Sequence, residues 1–214
     1  MRPVQLYVSV PLASFRVAQA REYWETYPCP PPSTVYGMLL SMVGEANRLV
    51  HAGAEVAVAV TGDPARSVIL RTLWRVKSRK EPPGVGANKR PDFQEILSSV
   101  ALGVWVRPGA SEKSERALFD RVTEALHSPE DIRRYGGLSL GESTHLVDQV
   151  RKWDADDPAN GRVLVSDPAG DLSLPIWADH VGSKNTRWGQ YALRDSTIGP
   201  EPPEEAWTAI LRPE

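Results

Sequence analysis

An α+β fold on a ferredoxin-like βαββαβ plan, with a protruding basic hairpin and a small β-rich C-terminal part, is predicted by three features of this chain. The expected elements run strand, helix, strand, strand, strand, helix through residue 126, close to the order of that plan. A long excursion before the fourth strand carries the densest positive charge. After Pro129 the pattern becomes short apolar runs broken by Asp, Pro and Gly, as small strands require.

Each element has its own justification. Residues 4–10 alternate apolar and polar side chains, which reads as a half-buried strand. Residues 11–32 are irregular, with Arg16, Arg21, Tyr23, Trp24 and Tyr27 set among prolines. Ser33 or Thr34 is placed to cap a helix, because a hydroxyl accepts an orphan backbone N–H there. Val35, Leu39, Met42, Val43, Ala46 and Val50 continue that helix at a 3–4 spacing to about residue 50. Residues 55–61 and 67–76 read as the second and third strands, and 100–106 as the fourth, ended by Pro108-Gly109. Leu118, Val122 and Leu126 line one face of an amphipathic helix over 112–126. Together these suggest an RRM-like unit over residues 1–150, with the excursion at about 76–98. The short apolar runs at 146–153, 162–166, 172–177, 187–194 and 207–211 then suggest a small β-rich part, with the extension taken as 151–214.

Composition bounds the rest. The 214 residues suffice for one large domain, or one with a small appendage. Hydrophobic content of 41% and charged content of 24% are ordinary for a globular protein. No apolar stretch approaches a membrane span, and the N-terminus lacks a secretory apolar core. A single cysteine, Cys29, excludes an internal disulfide framework and fits a reducing cytoplasm. His51, His127, His145 and His180 have no metal-ligand spacing, so no metal or other cofactor is expected.

The charge is unevenly placed. Arg71, Arg75, Lys77, Arg79, Lys80, Lys89 and Arg90 stand against Glu81 alone, a window of net +6 in a chain of net −2. The remaining residues carry 18 basic and 26 acidic groups. Such a patch on an acidic body is an electrostatic footprint for a polyanion. Within the excursion Pro82, Pro83, Gly84 and Gly86 argue against regular structure. The functional reading is a grip on RNA or DNA, with cations on phosphates and Trp74 or Phe93 as a stacking face. The competing reading is a solvated, mobile surface hairpin.

Other motifs bear on catalysis. Gly137-Leu138-Ser139-Leu140-Gly141 matches G-x-S-x-G, which would make Ser139 a nucleophile with His145 or His180 as base and Asp148 or Asp179 as orienter. That elbow needs a buried strand before the serine and a helix after it, whereas residues 130–135 are polar and charged. The alternative is that Gly136, Gly137 and Gly141 let the backbone approach another chain or a phosphate closely. Tyr36, with a lysine of the basic window, is a candidate for metal-independent RNA cleavage; core packing or a ribose contact is the simpler role. The carboxylates of residues 148–157 match no calcium loop, and no phosphate-binding P-loop is present.

Three segments in order resemble the Cas-five family of CRISPR-associated proteins. The first runs from Phe15-Arg16 through Tyr27-Pro28-Cys29-Pro30-Pro31-Pro32-Ser33-Thr34-Val35-Tyr36-Gly37-Met38-Leu39. The second is Asn88-Lys89-Arg90-Pro91-Asp92-Phe93-Gln94-Glu95-Ile96-Leu97, and the third Tyr135-Gly136-Gly137-Leu138-Ser139-Leu140-Gly141-Glu142-Ser143. The resemblance covers about residues 1–150. It implies an RRM-type fold and a place in a type I Cascade surveillance complex, capping the 5′ repeat-derived handle of the crRNA. It further implies contacts with the Cas-seven backbone subunit and the large subunit, and with target DNA through the complex. The family's thumb hairpin maps onto residues 76–98. Thumb cations are then expected on handle phosphates, with Arg16 and the glycine loop nearing the RNA backbone. One branch of the family cuts precursor crRNA with a helix tyrosine and a Lys-His pair. Tyr36 matches the tyrosine, but the sequence has no adjacent Lys-His pair, so a non-catalytic role is implied.

Overall fold

The computed structural model describes residues 2–179, 181 and 184–213. The strands are β1 (Val4–Ala13), β2 (Tyr23–Trp24), β3 (Glu55–Thr61), β4 (Ala65–Trp74), β5 (Lys89–Arg107), β6 (Gln149–Lys152), β7 (Asn160–Ser166), β8 (Leu172–Trp177), β9 (Arg187–Thr197) and β10 (Thr208–Ala209). The helices are α1 (Pro32–Met42) and α2 (Leu118–His127). The fold is α+β: a mostly antiparallel sheet with two helices, ordered β6-β1-β5-β3-β7-β9-β8. The β-rich last third extends this sheet, because β7 pairs with β3 and β10 also joins β3.

Strand alternation divides the core in two. Leu6, Val8 and Val10 of β1, Val56, Val58 and Val60 of β3, and Leu102, Val104 and Val106 of β5 share one face. They pack with Val35, Leu39 and Met42 of α1 and Leu118 and Val122 of α2. The intervening residues Ala57, Ala59 and Trp105 form a second cluster with Val163, Val165 and Ala192, against which Trp153 and Trp207 pack.

Several element boundaries differ from the sequence reading. Helix α1 starts on Pro32 after Pro31, and no side chain caps it. Proline suits the first helical position because its missing N–H would be unpaired there anyway. The helix ends at Met42 rather than near residue 50 because Gly44 adopts φ +69°, and a Cβ there would meet the Arg133 carbonyl oxygen at 2.1 Å. Helix α2 begins at Leu118, not residue 112. The Glu112 carboxylate folds back to accept the Leu118 N–H at 2.7 Å and the His51 Nδ1–H at 2.8 Å. Arg121 Nη1 lies 3.0 Å from the other imidazole nitrogen, so both ring nitrogens of this buried histidine have a partner.

The largest correction lies between residues 76 and 98. The second half of that excursion is strand, paired with β4 from Trp74↔Lys89 to Ala65↔Ser98. Only residues 75–88 remain a loop. The ladder between β1 and β5 passes from Val10↔Val100 to Leu12↔Ser98, skipping Pro11 and Ser99. Pro11 has no N–H to offer, and Ser99 takes φ +57°, which a non-glycine residue rarely adopts. At this point β5 leaves its pairing with β3 and takes up β4, so these two strands form an arm off the core sheet, with β2 on the other edge. Among the described residues no helix is long and apolar enough to cross a membrane.

The division between core and arm predicts unequal sensitivity to truncation. Leu102→Ala, at a fully buried position, should cost about 2–5 kcal/mol in urea unfolding. Leu70→Ala, on the arm and 64% exposed, should stay within about 0.5 kcal/mol.

Candidate nucleic-acid interface

The arm presents its charge at the tip. Arg75, Lys77, Arg79, Lys80 and Lys89 are exposed. Among the described residues no ion pair involves any of them, although Arg75 Nε donates to the Ala87 carbonyl at 3.1 Å. Trp74 is 73% exposed beside them, and Gly84 lies against its indole. Phe93 is also exposed, opposite Leu70 on the same face.

Two of the seven basic residues are committed elsewhere. Arg90 Nε donates to the buried Asp92 carboxylate at 2.6 Å, and its Nη2 reaches the Arg21 carbonyl at 3.3 Å. The hydrogen bond from Arg90 to Asp92 holds the guanidinium above its ordinary pKa. Arg71 Nη1 donates to Glu142 Oε2 at 2.9 Å and to Gln94 Oε1, while Gln94 Nε2 donates to Glu142 Oε1 at 2.6 Å. The expectation of seven phosphate-seeking cations therefore narrows to five at the tip.

The Arg71 cluster ties the arm to the glycine loop. Strand β2 pairs parallel with β5 at Trp24↔Gln94 and so sets Trp24 beside the arm. Two guanidiniums approach its ring, Arg16 at 3.9 Å and Arg71 at 5.6 Å from the centroid, an attraction of roughly 0.5–2 kcal/mol per pair. Glu95 fixes the same segment by accepting from the Thr26 N–H at 3.0 Å and the Tyr23 hydroxyl at 3.2 Å. Arg16, Arg71 and the loop of Gly136, Gly137, Ser139 and Gly141 are thus brought to one end of the molecule.

The glycine loop is itself closed on β1. Gly141 has φ +97°, and a Cβ on it would meet the Ser14 carbonyl oxygen at 2.7 Å. The loop is also latched by His145 Nδ1, which accepts the Ser14 N–H at 3.1 Å and the Glu142 N–H at 3.3 Å. This overturns the serine-hydrolase reading. Ser139 bridges to Leu146 inside a turn, with no strand directly before it and no helix directly after it, and His145 Nδ1, which a triad would turn to its carboxylate, is taken by backbone donors. The Asp148 N–H is bonded to the Ser9 carbonyl and the Asp179 carboxylate to the Val181 and Asn185 N–H groups; His180 lies outside the described residues.

Beside the loop, a groove of about 280 Å³ runs along the start of α1, lined by Ser33, Thr34, Ser139, Gly141, Arg48 and Trp177. Tyr36 forms part of its wall but is only 3% exposed. Its hydroxyl donates to the Arg48 carbonyl at 2.7 Å, and burial pushes its pKa well above the ordinary tyrosine value. Arg48 covers the Trp177 ring at 4.5 Å and donates to the Ala178 carbonyl at 2.5 Å. Tyr36 thus supports the groove rather than presenting a reactive oxygen. Sequence reasoning gave Trp24, Glu142, Asn88, Arg48 and Trp177 no specific role: Glu142, Arg48 and Trp177 act through contacts across long stretches of chain, and Asn88 through a loop conformation that periodicity does not encode.

An arm with a cationic tip that makes no ion pair among the described residues, beside a tryptophan approached by two arginines and a closed glycine loop, defines a candidate polyanion-binding protein. The comparisons give the family. A family model described as "CRISPR-associated protein (Cas_Cas5)" matches residues 4–188. The "CRISPR-associated protein Cas5" of Myxococcus xanthus (strain DK1622) is 41% identical over 199 residues, covering 92% of this chain and 93% of that one. The chain belongs to the Cas5 family of CRISPR-associated proteins. Its fold is similar to a chain of a "CRISPR RNA-guided surveillance complex", with TM-score 0.62 at 16% identity and 95% of each chain covered. It is also similar to a structure described as "Crystal structure of Cas protein", with TM-score 0.52 at 16% identity, covering 93% of this chain and all of that one.

The His145 latch predicts a pH dependence. Burial, the leading cause, lowers the imidazole pKa, and nearby Arg71 adds to the lowering while Glu142 opposes it. The unfolded chain therefore takes up this proton first as pH falls, so the contribution is intact above about pH 6.5 and lost below it. Thermal melting followed down to pH 5 should show wild type losing more stability than His145→Gln; equal losses would contradict the latch.

Proposed function

We propose that this chain is a non-catalytic subunit of a type I CRISPR Cascade surveillance complex that binds and caps the 5′ repeat-derived handle of the crRNA. The observation that carries this reading is the set of exposed, unpaired cations at the tip of an ordered arm, in a chain of the Cas5 family. We take the order β6-β1-β5-β3, with every adjacent pair antiparallel, as a ferredoxin-like core of the RRM type. The arm is then its thumb. Residues 1–150 are the RNA-binding unit and 151–214 its β-rich extension. Lys77, Arg79, Lys80 and Lys89 neutralise handle phosphates, Trp74 offers a stacking face, and splayed nucleotides supply any base readout. Arg16 and the glycine loop face the same RNA backbone. The Cas-seven backbone subunit and the large subunit are the protein partners, target DNA is reached through the complex, and the setting is the cytoplasm.

The competing reading is an endoribonuclease using Tyr36. It is disfavoured by the buried, backbone-bonded hydroxyl and by the lack of a Lys-His pair. Repeat RNA incubated with the protein in EDTA should stay intact; specific cleavage abolished in Tyr36→Phe would establish the enzyme instead.

The binding reading is tested by salt titration of repeat-derived RNA. Replacing Lys77, Arg79, Lys80 and Lys89 together with Ala should weaken binding and reduce the log–log salt slope by about 3, at roughly 0.7 per phosphate contact on a single strand. Arg90→Ala should leave the slope unchanged. A full slope in the quadruple variant would refute the assignment.

A further inference from the structure

The tip loop, residues 75–88, is held from the inside by one side chain. Asn88 is 1% exposed at the start of β5, in a loop whose other residues are mostly exposed. Its Oδ1 accepts the Lys77 N–H at 2.7 Å and the Ser78 N–H at 2.8 Å. Its Nδ2 donates to the carbonyls of Ser78 at 2.8 Å, Glu81 at 2.7 Å and Pro82 at 3.3 Å. Its own carbonyl accepts the Arg75 N–H at 3.0 Å and the Gly84 N–H at 3.2 Å. One residue thus gathers backbone groups from Arg75 to Gly84, the segment that carries Lys77, Arg79 and Lys80.

Asparagine is the residue this arrangement requires. The amide supplies an acceptor and two donors on one short stem. Aspartate would offer the acceptors but set a carboxylate against three carbonyl oxygens, and glutamine would add a methylene in a filled site. Glu81, the single acid of the basic window, is used in the same way, since its Oε2 accepts the Ala87 N–H at 2.6 Å. It braces the loop without pairing with a cation.

We propose that Asn88 is the positioning residue of the basic loop, holding Lys77, Arg79 and Lys80 where the RNA backbone meets them without itself touching the RNA. The proposal rests on the reading that this loop binds RNA. A chain that must be ordered on binding gives up affinity, whereas one already ordered does not. Asn88→Ala leaves every cation in place, so the number of phosphates neutralised, and with it the salt slope, is preserved while affinity falls.

The test uses the full chain, Asn88→Ala beside a Lys77, Arg79, Lys80 triple Ala variant, and a repeat-derived RNA oligonucleotide. Asn88→Ala should bind about tenfold or more weakly with an unchanged log–log salt slope, reflecting the cost of ordering several side chains. Without RNA, trypsin should cut it after Lys77, Arg79 and Lys80 much faster than wild type, while the thermal midpoint of the core stays the same. Cleavage no faster than wild type would overturn the proposal, as would an opened loop that binds RNA with full affinity. If the triple variant loses RNA and Asn88→Ala does not, the positioning role alone fails. If the triple variant binds normally, the RNA assignment fails and the positioning role with it.

Discussion

One strand constrains the whole molecule. The C-terminal half of β5 lies between β1 and β3, where Leu102, Val104 and Val106 meet the helices. Its N-terminal half carries β4 and β2 and ends at the charged tip. The exchange of partners happens at Ser99, where the ladder to Pro11 is interrupted and the backbone enters the left-handed region. The basic loop is thus borne on a strand whose other end is the centre of the core. The arm is tied a second time, by the Arg71–Gln94–Glu142 contacts to the glycine loop and by Trp24, which both Arg16 and Arg71 approach.

Basic residues that are close in the ladder serve different purposes. Just behind the tip of the arm, Arg71 and Arg90 are paired with Glu142 and Asp92 and act as structural ties. At its tip the cations have hydrogen bonds only to backbone or none, and they remain available to a polyanion. A net charge of +6 over the window overstates the binding surface and understates the joinery. The same division applies to Glu81 and Asn88, which spend their polar atoms on the loop's own backbone.

The core was legible in the sequence wherever burial was one-sided. The alternation at residues 4–10 and the 3–4 spacing of Val35, Leu39 and Met42 identify β1 and α1 because each has one face to hide. The arm was legible only in half. Strand β4 was readable within two residues of its ends from its β-branched and apolar run, whereas residues 89–98, the strand that pairs with it, contain Pro91 and four charges. Local signals at Pro82, Pro83 and Gly84 then outweighed pairing with a strand more than ten residues away. Helix ends were missed for a related reason: Glu112 caps Leu118 through a contact invisible in periodicity, and α1 ends where left-handed Gly44 lets the Glu45 N–H bond back to the Leu40 carbonyl. In the candidate site the residue types were readable and their division of labour was not. Which arginine is tied and which is available depends on Glu142 and Asp92 arriving from elsewhere in the fold.

The central claim is that the tip of the arm and the glycine loop meet the same RNA. Ultraviolet crosslinking of the assembled ribonucleoprotein, with the crosslinked peptides read by mass spectrometry, tests it most directly. The account predicts crosslinks within residues 71–90, Trp74 foremost, and within residues 136–142. Crosslinks confined to the opposite sheet face, at Trp153 or Trp207, with none on the arm, would contradict it.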